Sequence, residues 1–303
     1  MTQAAQAHCP VRVTAPMLYG VSLFHLLRRP RLREPLMVVA FDAWVDAGSA
    51  ATAAAALLAE GGRPVARFEG DGLFDYRARR PTLRIQDGRL DELEWPELSV
   101  VRRRLGGRDV VVMAGPEPDY RWQELAADAV ALARGLGIVE WLSLGAIPAA
   151  VPHTRPVPVL GTESAPGLLR GGVQPGPAGL MQVPAAAVSV IDMAVAEAGI
   201  PALGYFAQVP HYVSGEYPAA AVALLRAVER HFDEKLTTAV LELEARGIHA
   251  RLDAAASTDD STRKYIVRLE EMVDESRLPS GDELISEIER FLRDRGTQSG
   301  PVH

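Results

Sequence analysis

The sequence predicts an α/β protein: a central, mostly parallel (mixed) sheet flanked by helices, followed by a C-terminal all-helical cap. Two observations carry this. Short apolar runs alternate with helix-like stretches as far as Phe232, the pattern of strands joined by crossover helices. Beyond Phe232 the strand-like runs stop and only helical periodicity remains. The expected division is 17–232 for the α/β core and 233–295 for the helical part, with 1–16 and 296–303 as tails.

The elements follow in order. LMVVAF, Leu36 to Phe41, reads as a buried strand. An alanine-rich helix comes next, with Asp46 placed to cap it and Gly61-Gly62 placed to stop it. Val65 to Leu105 is Arg-rich and reads as an antiparallel strand-and-loop insertion at one side of the sheet. Asp109 to Ala114 is a second buried strand, followed by a helix with apolar positions from Trp122 to Leu136. Ile138 to Leu144 is a third strand, and Val157 to Leu160 reads as another. A helix is expected from about Pro184, with proline in its first turn. A strand from Pro201 to Ala207 and a helix from Pro218 to His231 complete the core. In the cap, Val240, Leu243 and the intervening residues mark one helix, and Tyr265, Leu269, Met272 and Val273 a second. Leu284, Ile288, Phe291 and Leu292 mark a third, opened by a capping box at Ser280–Glu283.

Charge and composition exclude several classes. The 303 residues carry a net charge of −7, which leaves no basic field for nucleic acid. Residues 233–295 hold 16 acidic and 10 basic residues, so most of the negative charge sits in the helical part. One cysteine, Cys9, rules out an internal disulfide framework. No secretory signal and no apolar run of membrane-spanning length is apparent, so a cytoplasmic protein without membrane contact is expected. Only Lys235 and Lys264 stand against 30 arginines, which weakens arginine as a functional marker.

The residues capable of chemistry fall in the loops after the strands, where ligands of open α/β sheets bind. They are Asp42 and Asp46; then Glu117, Asp119 and Arg121; then His153 and Arg155 in the proline-rich loop IPAAVPHTRPVPVL; then His211, Tyr212 and Glu216. The prolines stiffen that loop, so a preformed rim for a cleft is expected, with His153 and Arg155 facing His211 and Glu117 or Asp119. The alternative is that Arg155 pairs with Glu117 or Asp119 and locks two loops together. Asp46 reads most simply as a helix cap. A metal held by Asp42, Asp46, Glu117 and His153 is not demanded by the spacing. No G-x-S-x-G, H-E-x-x-H, C-x-x-C or phosphate-loop motif is present. The reading assigns no catalytic residue, no cofactor and no metal.

The stretches FDAWVDAG, GPEPDYRW, PHTRPVPV, GPAGL and VPHYVSGEYP together resemble the proteasome assembly chaperone family of the second-subunit type, in its actinobacterial branch. The resemblance spans roughly residues 17–232, and the helical extension fits that branch. It implies a nucleoside-phosphorylase-like fold and oligomeric proteins with no established enzymatic activity. Characterised relatives dock on proteasome rings through a tail whose tyrosine position is held here by Val302, so docking of that kind is not expected. The leading expectation is therefore an oligomeric interaction or assembly-chaperone-like protein with a cleft at the strand ends, a trimer being favoured. An unknown protein partner is allowed for. The alternative is an enzyme, phosphorylase- or hydrolase-like, acting on a nucleoside-like or other small polar substrate. In either case the Arg-rich insertion from Val65 to Leu105 is a candidate interface, with Phe74, Tyr76, Arg77 and Arg79 close together in it.

Overall fold

A computed structural model describes residues 22–276. Cys9, the two tails and the third helical stripe of the cap lie outside the described residues.

The elements run β1 (Phe24–Leu26), β2 (Leu36–Phe41), α1 (Ala50–Ala59), β3 (Arg63–Phe68), β4 (Thr82–Gln86), β5 (Arg89–Glu94), β6 (Leu98–Leu105) and β7 (Arg108–Gly115). Then come α2 (Trp122–Leu136), β8 (Glu140–Ala149), β9 (Val159–Glu163), β10 (Gln174–Pro175) and α3 (Ala187–Glu197). The chain continues through β11 (Ala202–Pro210), α4 (Pro218–Phe232), α5 (Ala239–Thr258) and α6 (Asp260–Ser276). Nine strands form one sheet in the order β1-β3-β6-β7-β2-β8-β11-β9-β10. Its centre, β7-β2-β8-β11, is parallel. The flank β1-β3-β6 is antiparallel and joins β7 antiparallel, and β9 lies antiparallel to β11. This is the expected fold class.

The six residues of β2 are all buried, because the sheet is covered on both faces. Met37, Val39 and Phe41 pack with α2 and α3 on one face. Leu36, Val38 and Ala40 pack with α1 and α4 on the other. Successive side chains thus serve two cores, as the two-residue period of a strand requires.

The Arg-rich stretch is antiparallel, as expected, but most of it belongs to the main sheet. Only β4 and β5 stand apart, as a separate two-stranded hairpin. Phe74 is buried in the core and Arg79 is turned onto Asp42, so these residues are not the presented surface of the stretch. Its exposed apolar side chains are Leu83, Ile85, Leu90, Leu93 and Trp95.

The helix expected from Pro184 starts three residues later, at Ala187, whose N–H donates to Glu117 Oε1 at 2.8 Å. Beyond Phe232 the described residues form only helices. Of the residues that mark α5, Val240 and Leu243 point outward, 73% and 63% exposed. Its packed face is made by Leu241, Ala245, Ile248 and Leu252. The helix α5 folds back along α4 and seats these side chains on the core.

Candidate functional site

The carboxyl ends of the four parallel strands bring the candidate residues together in two groups. The first lies over β2 and β7. Arg79 Nη1 donates to both Asp42 oxygens at 2.9 Å, and the Glu117 N–H donates to Asp42 Oδ1 at 2.9 Å. Asp119 Oδ2 accepts the Asp75 N–H at 2.8 Å and lies 3.9 Å from Arg79 Nε. Arg121 turns away to pair with Glu124 on its own helix. It holds a left-handed backbone, φ 58°, at the entry to α2. Trp44 and Tyr120 stand exposed beside this group.

Asp46 sits at the start of α1, its backbone bridged to Ala146 of β8. Its Oδ1 accepts the Ala51 N–H at 2.7 Å and the Thr52 N–H at 3.3 Å, and its Oδ2 accepts the Thr52 hydroxyl at 2.5 Å. That satisfies two of the free N–H donors at the start of α1. Burial pushes the Asp46 carboxyl above its ordinary pKa, against the pull of those hydrogen bonds. Gly48, two residues on, has φ +66°, and its carbonyl accepts the Tyr217 N–H at 2.8 Å. A Cβ there would sit 2.7 Å from Tyr217 Cβ, so only glycine allows α1 and α4 to start side by side.

The second group lies over β8 and β11 and is covered by the C-terminal helices. His153 is 2% exposed. Its Nδ1 meets the Tyr212 hydroxyl at 2.8 Å, and its Nε2 meets Asp253 Oδ1 of α5 at 3.1 Å. The His153 N–H also donates to Tyr212 Oη at 2.8 Å. The His211 and His153 rings flank the one Tyr212 ring, at centroid distances of 5.6 and 5.9 Å. His211 Nε2 meets the Tyr265 hydroxyl of α6 at 3.1 Å. Arg155 donates through Nε and Nη2 to Asp274 at 3.0 and 2.8 Å, and through Nη1 to Glu270 at 3.2 Å. Thr154 donates to the same Glu270 carboxylate. Glu216 is exposed and joins neither group.

Arg155 therefore locks neither Glu117 nor Asp119; its partners lie on α6. Asp42 and Asp46 do not converge with His153 and Glu117 as ligands of one ion, because each carboxylate is committed to a different partner. Burial holds the Tyr212 phenol protonated further above the ordinary range, with Tyr265, Glu270 and Asp253 adding to it. Burial, with His153 beside it, lowers the pKa of His249, whose Nε2 meets the Tyr217 hydroxyl at 3.1 Å. Both ring nitrogens of His153 and three nitrogens of Arg155 are thus occupied by protein groups. As arranged, the second group fastens α5 and α6 over the strand ends.

Sequence reasoning missed the partners on the helices: Asp253, Tyr265, Glu270 and Asp274. A local signal existed in the i,i+4 pairs His249/Asp253 and Glu270/Asp274, each of which lies on one helix face. It also missed Asp192 on α3, which receives Trp141 Nε1–H at 2.9 Å and the Ser143 hydroxyl at 2.5 Å beneath the sheet. Burial pushes the Asp192 carboxyl up to about 7.

A mixed nine-stranded sheet with paired helices on each face, its strand ends covered by a helical extension, defines the structural class. The sequence pattern of the PAC2 family matches residues 40–256, and the chain belongs to that family. Among solved structures, a Mycobacterium tuberculosis protein of unknown function is 32% identical, with a TM-score of 0.76 over 84% of this chain and 92% of that one. A Corynebacterium glutamicum protein of unknown function is 29% identical, with a TM-score of 0.77 over 83% of this chain and 97% of that one. A Mycobacterium tuberculosis proteasome-assembly chaperone homologue is 34% identical, with a TM-score of 0.69 over 76% of this chain and 99% of that one. These relatives are actinobacterial, in line with the resemblance read from the motifs. No curated protein matches the chain. Among the described residues, no helix is long and apolar enough to cross a membrane.

Proposed function

We propose that the protein is a homo-oligomeric, assembly-chaperone-like interaction protein, a trimer being favoured, and that the β4–β5 hairpin is the surface through which copies associate. The hairpin carries the proposal. Cross-strand pairs Leu83–Leu93 and Ile85–Leu90 put four aliphatic side chains on one face. All four are exposed, Leu90 to 76%. A two-stranded hairpin is marginal alone in water, and a contiguous exposed apolar face marks an interaction site. Arg84, between Leu83 and Ile85, alternates to the opposite face and pairs with Asp91 and Glu92, so the apolar face carries no arginine of β4. The similarity to a proteasome-assembly chaperone homologue supports a protein as the further partner. In this reading the strand-end groups are a seat for α5 and α6 rather than an open reaction site.

Light scattering coupled to size exclusion at micromolar concentration tests the proposal. The wild type is expected to run as a trimer, and Leu83→Asp with Leu93→Asp as a monomer. A monomeric wild type, or an assembly that the double substitution leaves intact, overturns it.

A further inference from the structure

A groove with a cavity volume of about 580 Å³ runs between α4 and α5, beside the second strand-end group, whose Arg155 forms part of its rim. The loop leading into β9 and the turn before β10 close its third side. Periodicity builds it. Ala219, Val222, Ala223, Arg226 and Arg230 recur at helical spacing along one face of α4. Glu242, Ala245, Arg246 and His249 do the same along α5. Two cross-links fix the register of the helix pair: Tyr217 with His249 at one end, and Arg226 Nη2 with Glu242 at 2.5 Å towards the other. Arg246 therefore stands between them, level with the Val222–Ala223 floor, and Arg230 lies beyond Arg226.

The charge of the groove runs against that of the molecule. The chain carries −7, yet four arginines and a single carboxylate, Glu242, line this groove. Two of the arginines are consumed. Arg155 serves Glu270 and Asp274, and Arg226 serves Glu229, Glu242 and Thr238. Two keep donors to spare. Arg230 uses Nε on the Gly171 carbonyl at 2.6 Å, leaving both terminal nitrogens. Arg246 is exposed and forms no hydrogen bond or ion pair among the described residues, feeling Glu242 only through space. Beneath them the floor is apolar, from Val159, Val173, Val222, Ala223 and Ala245. A concavity of this size, mostly apolar with a few convergent donors, is the ordinary make-up of a small-ligand site.

We infer that this groove binds a small organic anion: a carboxylate or phosphate head held by Arg246, with Arg230 adding to the positive field, and an apolar body laid on the alanine and valine floor. A guanidinium is suited to that head because its fork of N–H groups matches two oxygens at once. The inference is independent of the hairpin and of the oligomeric state.

Isothermal titration with octanoate and octyl phosphate tests it, with inorganic phosphate and octyl glucoside as the head-only and tail-only arms. Saturable binding of at least one of the two amphiphilic anions is expected, at least tenfold tighter than either single-part probe. Arg246→Ala is expected to weaken it at least tenfold while the far-ultraviolet spectrum and Tm stay unchanged, and Arg246→Lys to retain part of the affinity. Val222→Glu, which sets a negative charge on the floor, is expected to abolish binding. Failure of both amphiphilic anions to bind, affinity that survives Arg246→Ala, or octyl glucoside or phosphate binding as well as the whole molecule each overturns the inference. Preference between octanoate and octyl phosphate, where binding is seen, identifies the head group.

Discussion

Arg155 directs Nε, Nη1 and Nη2 at Glu270 and Asp274, which lie 115 and 119 residues further along the chain. The proline-rich loop marked Arg155 as a placed side chain, and placed it is. Its partners were illegible, because an ion pair across that much sequence leaves no local pattern. Asp46 was legible for the opposite reason: a cap acts on donors five and six residues away, and the alanine-rich run behind it announces the helix. Asp192 gave no sign, since an acid inside a helical stretch reads as a solvent-facing position. Its pKa of about 7 makes a pH-dependent prediction. The folded protein binds the Asp192 proton more tightly than the unfolded chain, whose carboxyl has a model value of 3.8. Stability from this group is therefore whole below about pH 4 and falls as pH rises towards 7. Asparagine keeps the acceptor for Trp141 and Ser143 and carries no charge. Asp192→Asn is expected to flatten the loss, raising stability by on the order of 2 kcal/mol at pH 8 with little change at pH 4. Urea unfolding at the two pH values measures this.

At the scale of elements, buried strands were the plainest signal. LMVVAF and VVVMA sit where their apolar runs put them, because strands covered on both faces are apolar nearly throughout; the buried Asp109 that precedes the second run is paired with Arg102 and the Arg33 N–H. The three-residue β1 and two-residue β10 were missed; pairing at a sheet edge needs no apolar run. Val240, Leu243 and the residues between them marked α5, but not which of its faces packs, since the helix carries apolar residues on more than one side. How α1 meets α4 was also illegible, although it turns on one residue. Gly48→Ala meets both a left-handed backbone and Tyr217. Its expected cost is about 1–3 kcal/mol from the backbone alone, read as a lower urea midpoint at unchanged slope.

Over the whole molecule, the two cores and the extension are held by different forces. The sheet cores rest on buried apolar area, whereas among the described residues the buried apolar side chains of α6 are Ile266 and Leu269, and charged and polar pairs tie it to Thr154, Arg155 and His211. Partly exposed ion pairs are screened by salt, but apolar burial is not. Amides of α6 are thus expected to exchange faster in 1 M NaCl than at low salt, while β2 and β8 amides keep their rates. Arg155→Ala is expected to give the fast α6 exchange at low salt already. Equal protection of α6 under all three conditions would show that the pairs contribute nothing to holding it.

The closure of the strand ends also has a history in time. His153 and its partner Asp253 are 100 residues apart. At a synthesis rate of about 5–20 residues per second, roughly 5–20 s pass between the making of one and the making of the other. The α/β body is complete at Phe232, before α5 and α6 exist. Between Phe232 and Asp253 lie only 21 residues, roughly 1–4 s of synthesis, during which His153, Arg155, His211 and Tyr212 lack their helical partners. Anything that grips His153 through both ring nitrogens must act before that interval ends, because in the folded protein Tyr212 and Asp253 hold them.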